Sequence, residues 1–319
     1  MSFEPAQILE RFAAGDVLAA SRVMSTIERG DEAAESLLDA LYPKTGRAWR
    51  IAFTGPGGAG KSTLVDGMIA RERERGQTVG VVAEDPSSPF SGGAILGDRV
   101  RMARAQGDAG VFVRSLASRG SVHGLSSLAG ELADVMDAFG RDVVILESMG
   151  VGQAEARVRY MADCTVVVLT PESGDDVQTM KSGLLEVADV IAVNKSDRPG
   201  ADALAADLKS VASLRGTGLG GWEVCIVQTS ATSGRGMDEL GETLDAHRAH
   251  MDSDGRREAR RREALRERTR VMVEERAREE LWRDPTLRQQ FDAILEAVVN
   301  GRTSPHRAAR DLIESRRRG

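Results

Sequence analysis

The sequence predicts an α/β protein, a mostly parallel sheet flanked by helices, with helical extensions at both ends. Three observations predict it. From residue 49, short apolar runs alternate with helix-patterned stretches. The runs are nearly continuous and rich in β-branched residues, as expected of strands covered on both faces. The intervening period is helical, which is the signature of right-handed crossovers between parallel strands. Residues 1–47 and 251–319 carry helical patterns only. The expected organisation is therefore a helical collar over 1–47, an α/β domain over 48–250 and a helical arm over 251–319.

In the collar, Asp16 is a plausible N-cap, and Val17, Ala20, Met24 and Ile27 follow at helical spacing. Gly30-Asp31 breaks that helix. Leu37, Leu38 and Leu41 mark a second one, with Pro43 beyond it. The expected strands are Trp49–Thr54, Thr78–Ala83, Val111–Arg114, Val143–Leu146, Thr165–Leu169, Val190–Val193 and Val224–Val227. Helix patterns fill Leu125–Phe139 and Asp202–Leu214. In the arm, Arg256–Asp284 holds 11 Arg against 8 acidic residues around a thin stripe, Leu265, Thr269, Val273, Ala277 and Leu281. Such a run reads as a solvated face, and the stripe suits pairing with a second copy of the chain. Leu287, Phe291, Leu295 and Val298 continue after Pro285, and Ser304-Pro305 starts a last helix.

Composition excludes several function classes. The 319 residues are 41% hydrophobic and 29% charged, enough for a full core. The net charge of −6 argues against a nucleic-acid backbone binder. No apolar run reaches the length of a membrane span, and the N-terminus has no secretory pattern. The two cysteines, Cys164 and Cys225, sit in apolar runs as small core residues, and they predict a cytoplasmic chain without disulfides. Four histidines exclude a His-rich metal store.

The chemistry starts at Gly55-Pro56-Gly57-Gly58-Ala59-Gly60-Lys61-Ser62-Thr63, which fits G-x-x-x-x-G-K-[ST] after a strand and before a helix. Backbone N–H groups there can wrap a phosphate, helped by the helix N-terminus. Lys61 can reach the β- and γ-phosphates, and Ser62 can bind Mg²⁺. The fold class is therefore a P-loop NTPase. The base is selected by Asn194-Lys195-Ser196-Asp197 at a strand end, which makes it a P-loop NTPase of the GTPase type. The Asp197 carboxylate can accept from N1–H and the 2-amino group of guanine together, which adenine cannot match. Asn194 can fix the base edge and brace the phosphate loop, and Lys195 can lay its stem across the ring. Gln228-Thr229-Ser230-Ala231, with Thr232 next, resembles a last guanine loop in which the N–H groups of Ser230 and Ala231 face the base O6. Asp85, Asp98 and Glu147 are acidic residues around the phosphate loop, suited to share Mg²⁺ and orient water. His123 and the basic face Arg99, Arg101 and Arg104 read as structural or solvated.

The block Asp85-Pro86-Ser87-Ser88-Pro89-Phe90-Ser91-Gly92-Gly93-Ala94-Ile95-Leu96-Gly97-Asp98 carries a resemblance, together with Gly150-Val151-Gly152-Gln153 and Gly174-Asp175-Asp176. From about residue 10 to about 250 the chain resembles the MeaB/ArgK type of P-loop GTPase, the G-protein chaperones of adenosylcobalamin-dependent methylmalonyl-CoA mutase and its relatives. The resemblance implies that Lys61, Asp85, Asp98 and Glu147 serve phosphate, Mg²⁺ and GTP hydrolysis. It implies homodimerisation through the arm, and a third switch over Pro171–Gly183 that couples nucleotide state to a mutase. Ser148-Met149 stands where Thr-Val is usual, Glu172 where Gly is usual and Thr179-Met180 where Gly-Ile is usual. The partner mutase is open between methylmalonyl-CoA and acyl-CoA relatives such as isobutyryl- or 2-hydroxyisobutyryl-CoA. No cobalamin site is identifiable in this chain. The rival readings are a nickel-insertion GTPase, which lacks its Cys-x-x-Cys or His cluster here, a small-molecule kinase, which N-K-x-D opposes, and a module that binds GTP without hydrolysing it.

Overall fold

The computed structural model describes residues 5–85, 107–117, 127–148, 158–173, 186–215 and 221–318. Seven strands form one sheet: β1 (Trp49–Thr54), β2 (Val79–Asp85), β3 (Val111–Ala117), β4 (Val143–Glu147), β5 (Cys164–Leu169), β6 (Val190–Val193) and β7 (Cys225–Gln228). Their order is β3-β2-β4-β1-β5-β6-β7, and every pairing is parallel. The strands around β1 are buried along their whole length, which is why they read as continuous apolar runs. Strand order reverses direction at β1, so the crevice for a ligand opens at its carboxyl end, where the Gly-rich loop begins.

The collar helices are α1 (Pro5–Ala13), α2 (Val17–Arg29) and α3 (Ala34–Leu41). Asp16 caps α2 by accepting from the N–H groups of Leu18 and Ala19. Its buried face is Ala19, Ala20, Val23, Met24 and Ile27, whereas Val17 is exposed. Val17 thus leaves the expected stripe, and Ala19 and Val23 enter it. The collar shares a core with α5 (Ser127–Ala138), which follows α4 (Lys61–Glu74) in the chain. Asp137 of α5 accepts from the N–H groups of Gly46 at 2.8 Å, Arg47 at 3.1 Å and Ala48 at 3.0 Å, and from Arg50 at 2.8 Å. That fully buried carboxylate pins the collar-to-β1 connection.

On the other half lie α6 (Ala201–Arg215) and α7 (Met237–Asp252). The arm comprises α8 (Arg256–Arg283), α9 (Pro285–Val299) and α10 (Pro305–Arg318). Compact units divide between Ala264 and Leu265, inside α8. In the second unit Trp282 meets Phe291 edge-on at 5.2 Å, Ser315 donates to Gln290 at 2.9 Å, and Leu287 and Ala308 are buried. Leu265 and Val273 are exposed. Among the described residues, no helix is long and apolar enough to cross a membrane.

The start of α8 corrects the expectation of a solvated Arg run. Arg260 makes two bonds to Asp189, at 2.9 and 2.8 Å. Arg261 makes two to Asp163, at 2.7 and 2.6 Å, and reaches the carbonyls of Gly46 and Ala48. Arg257 joins Asp163 and the Ala48 carbonyl. The side chains of Arg257 and Arg260 are only 15% and 13% exposed. Asp163 precedes β5 and Asp189 precedes β6, so this clasp closes the amino-terminal edge of the sheet. Burial pushes both carboxyls up, but the guanidinium groups outweigh it and hold both below the usual carboxylate range.

Candidate functional site

The phosphate-type loop joins β1 to α4 at the carboxyl edge of the sheet. Gly55 has φ 137, and a Cβ there would lie 2.1 Å from the Val168 carbonyl of β5. Gly60 has φ 90, and its Cβ would lie 2.3 Å from Asn194 Nδ2. Both positions therefore require glycine for backbone angle and for close approach. Lys61 is buried at 6% exposure, and its ammonium donates to the carbonyls of Gly55 at 2.8 Å and Pro56 at 2.9 Å. Curling back in this way, it holds a cation beside the loop that includes Gly57, Gly58 and Ala59, with Thr63 in the first turn of α4.

Ser62, in the first turn of α4, donates its hydroxyl to Glu147 Oε1 at 2.7 Å. Glu147 is buried at the tip of β4, aligned with Phe53 of β1 and Ala83 of β2. The pair offers hard oxygens side by side, ligand chemistry that suits Mg²⁺. Asp85 ends β2 two residues beyond that register, about 7 Å further along the strand. The Asp85 side chain, Asp98, His123, Arg99, Arg101, Arg104 and residues 150–153 and 174–183 lie outside the described residues. Next to Glu147, the Ser148 hydroxyl donates to Thr54 at 2.8 Å, and both groups are buried. The polar pairing of this sequence variant is thus satisfied internally.

Asn194 joins the loops. It is 2% exposed, and its amide donates to the Ala59 carbonyl at 2.8 Å. Its Oδ1 accepts from the Thr229 hydroxyl and from the Ala231 N–H, each at 3.2 Å. One side chain therefore ties the phosphate-type loop to both loops expected at a base. The sequence places Thr229 in the last guanine loop without a role of its own; the structure gives it this bond to Asn194. Asp197 is exposed and accepts from the Ser230 hydroxyl at 2.7 Å. That bond, then its own backbone N–H, hold the carboxyl below the usual range, so it is ionised at neutral pH. A carboxylate has about four acceptor sites, so capacity for two further donors remains. Ser230 N–H donates to the Arg235 carbonyl at 2.9 Å, and Ala231 N–H to Asn194, so both are bonded inside the protein. The Ala231 bond is the longer, and exchange for a base oxygen is easier there. Thr232 is exposed beside it. Lys195 sits in the left-handed region at φ 57, with its ammonium 3.3 Å from Glu172.

Residues 19–286 match the family model described as "Methylmalonyl Co-A mutase-associated GTPase MeaB". The chain belongs to the MeaB family of GTPases. A putative GTPase of Pyrococcus abyssi is 42% identical, covering 84% of this chain and 83% of that one. GTPase ArgK of Escherichia coli is 34% identical, covering 97% and 96%. A crystal structure titled "LAO/AO transport system kinase" aligns over 99% of both chains, with a TM-score of 0.76 and 28% identity. The MeaB-family assignment makes the chain a GTPase with a P-loop fold, of a family associated with methylmalonyl-CoA mutase.

At the opposite end of the sheet from the Gly-rich loop, ligand atoms of Cys164, Asp189 and His247 lie within 4.8 Å of one another. Arg260 occupies both Asp189 oxygens, and burial pushes the Cys164 thiol well up, keeping it protonated. This cluster therefore does not suit a metal, and it gives the nickel-insertion reading no support.

Proposed function

We propose that this MeaB-family GTPase binds and hydrolyses GTP to gate the loading, protection or reactivation of adenosylcobalamin on a partner acyl-CoA mutase. The observation that carries the GTP reading is Asn194, which joins the Lys61 loop to the Asp197 and Ser230 loop through one buried amide. In this reading, N–H groups of Gly55–Thr63 and the Lys61 ammonium take the phosphates. Asp197 accepts from the two guanine donors, and Asn194, Lys195, Ser230, Ala231 and Thr232 frame the base. Ser62 and Glu147, with Asp85 and Asp98, would hold Mg²⁺, which when bound offsets charge developing on the phosphates. Glu147 accepts a hydrogen bond from the Ser62 hydroxyl, and in this reading it orients the attacking water. The exposed stripe of the arm supports a homodimer through residues beyond 264. The family's description supports the mutase as partner, with methylmalonyl-CoA or a related acyl-CoA as that enzyme's substrate.

Base selectivity should follow Asp197. Asp197→Asn leaves two guanine donors without a charged acceptor, a loss of about 1.5–3 kcal/mol, or about tenfold or more in affinity. It should favour xanthine nucleotides, whose 2-oxo group can accept from the new amide. Titration with GTP, XTP and ATP checks this, and equal GTP and ATP affinity in the unmodified chain would refute it. The partner is tested by phosphate release with and without a purified adenosylcobalamin-dependent acyl-CoA mutase. Stimulated turnover is expected, because P-loop GTPases without a well-placed stabilising cation are slow. Turnover indifferent to each such mutase tried would remove the gating role.

A further inference from the structure

β5 runs out at Leu169 into the buried Thr170 and a single 3-10 turn, Pro171–Ser173. This turn brings Glu172 against the loop that follows β6. The Glu172 carboxylate lies 3.3 Å from Lys195 Nζ and also pairs with the Arg198 guanidinium. The Arg198 N–H donates to the Lys195 carbonyl at 2.9 Å, so both cations belong to one tight turn. Pro171 packs against that turn as well: a Cβ on Gly200 would lie 3.7 Å from the Pro171 ring. Lys195 takes a left-handed backbone angle, which side-chain-bearing residues adopt only where their surroundings hold them.

We infer that Glu172 is a positioning residue for nucleotide affinity, holding Lys195 in place over the base site by gripping its ammonium. This rests on the guanine reading of Asn194–Asp197. A lysine has a flexible four-carbon stem, and ordering it costs conformational entropy. With its ammonium tethered to Glu172, the stem is ordered before the base arrives, and part of that cost is already met. In the guanine reading Lys195 meets the base, which GDP and GTP share, so the contact acts alike on both. It should therefore change affinity and KM without changing kcat. The pair is part-exposed, at 29% for Lys195 and 50% for Glu172, so salt should weaken it.

The test uses the full chain with a fluorescent guanine nucleotide. Glu172→Gln keeps shape and removes charge. It should weaken GDP and GTP equally, by about two- to fivefold at low salt. The difference should shrink in ~0.5 M salt, KM should rise by the same factor, and kcat should hold. Glu172→Asp should recover part of the affinity. In a Lys195→Met background, which keeps the stem and loses the ammonium, Glu172→Gln should have no effect. No change in affinity, an equal effect with Lys195→Met present, or a change confined to kcat would overturn the inference. Equal ATP and GTP affinity in the unmodified chain would instead overturn the guanine reading beneath it. Guanine selectivity with an inert Glu172→Gln would overturn this inference alone.

Discussion

Lys61→Ala should lower GTP turnover by about 10²–10³-fold, the loss seen when one preorganised donor to transition-state charge is removed. Two features make the effect large. The ammonium is almost wholly buried, so its field is poorly screened. It is also held in place by the Gly55 and Pro56 carbonyls before any substrate arrives. Nucleotide affinity should fall as well, since a hydrogen bond to a charged group is worth about 1.5–3 kcal/mol. Lys61→Met keeps most of the stem and should behave like the alanine variant, which separates charge from packing. Phosphate release and nucleotide titration give the two readouts. Turnover within about threefold of the unmodified protein, with intact circular dichroism, would mean that the cation is not part of the site.

Arg260→Ala should destabilise the protein by about 3–5 kcal/mol, because it leaves the Asp189 carboxylate buried without its guanidinium. That is a large share of the roughly 5–15 kcal/mol that holds a typical domain folded. The direction with pH follows from the depressed Asp189 pKa. The contribution of the pair is full above the unfolded value near pH ~4 and is lost as pH falls through the folded value. The gap in urea midpoint between protein and variant should thus narrow in acid. A gap unchanged from about pH 7 to about pH 3 would contradict the pairing. The same contacts decide where the arm can be cut. A chain ending at Ala264 keeps Arg257, Arg260 and Arg261, and should fold and bind nucleotide as a monomer. A chain ending at Gly255 loses all three and should fold poorly. Light scattering that shows a dimer for the chain ending at Ala264 would refute dimerisation through the later helices.

The bounds of β1 and β6 were legible in the sequence, residue for residue: β6 is a continuous apolar run closed by Asn194, and β1 is an apolar run interrupted by Arg50 that ends at Thr54, directly before Gly55. β2 and β3 extend past their apolar runs to Asp85 and Ala117. The added residues pair with each other, Glu84 with Leu116 and Asp85 with Ala117. Glu84 and Asp85 are polar and leave no hydrophobic signal, and Leu116, though buried, stands beyond the polar Arg114 and Ser115. At the candidate site, the glycines, Lys61, Ser62, Asn194 and Asp197 stand out in the sequence because the phosphate and guanine readings need those residue types at fixed spacing, and the structure ties the Lys61 loop to Asn194. The Glu172–Lys195 contact and the Arg clasp were not. Each joins residues brought together only by the crossovers of the sheet, and Arg261 stands 98 positions from Asp163. A run of Arg looks the same in sequence whether its face meets water or two buried carboxylates.

The clasp also has a clock. A chain is made from its N-terminus at about 5–20 residues per second. Arg260 follows Asp189 by 71 positions, so on a ribosome the carboxylate waits about 4–14 s for its guanidinium. Until then, sealing the amino-terminal edge of β5 and β6 would bury two uncompensated charges. Those strands should therefore stay open, or close only with their carboxyls protonated, even after Gln228, the last residue of the sheet, has been made. The start of α8 is the last piece this domain needs, and nascent chains stalled before Arg257 should remain open to protease at Asp163 and Asp189 when chains stalled well after Arg261 are protected.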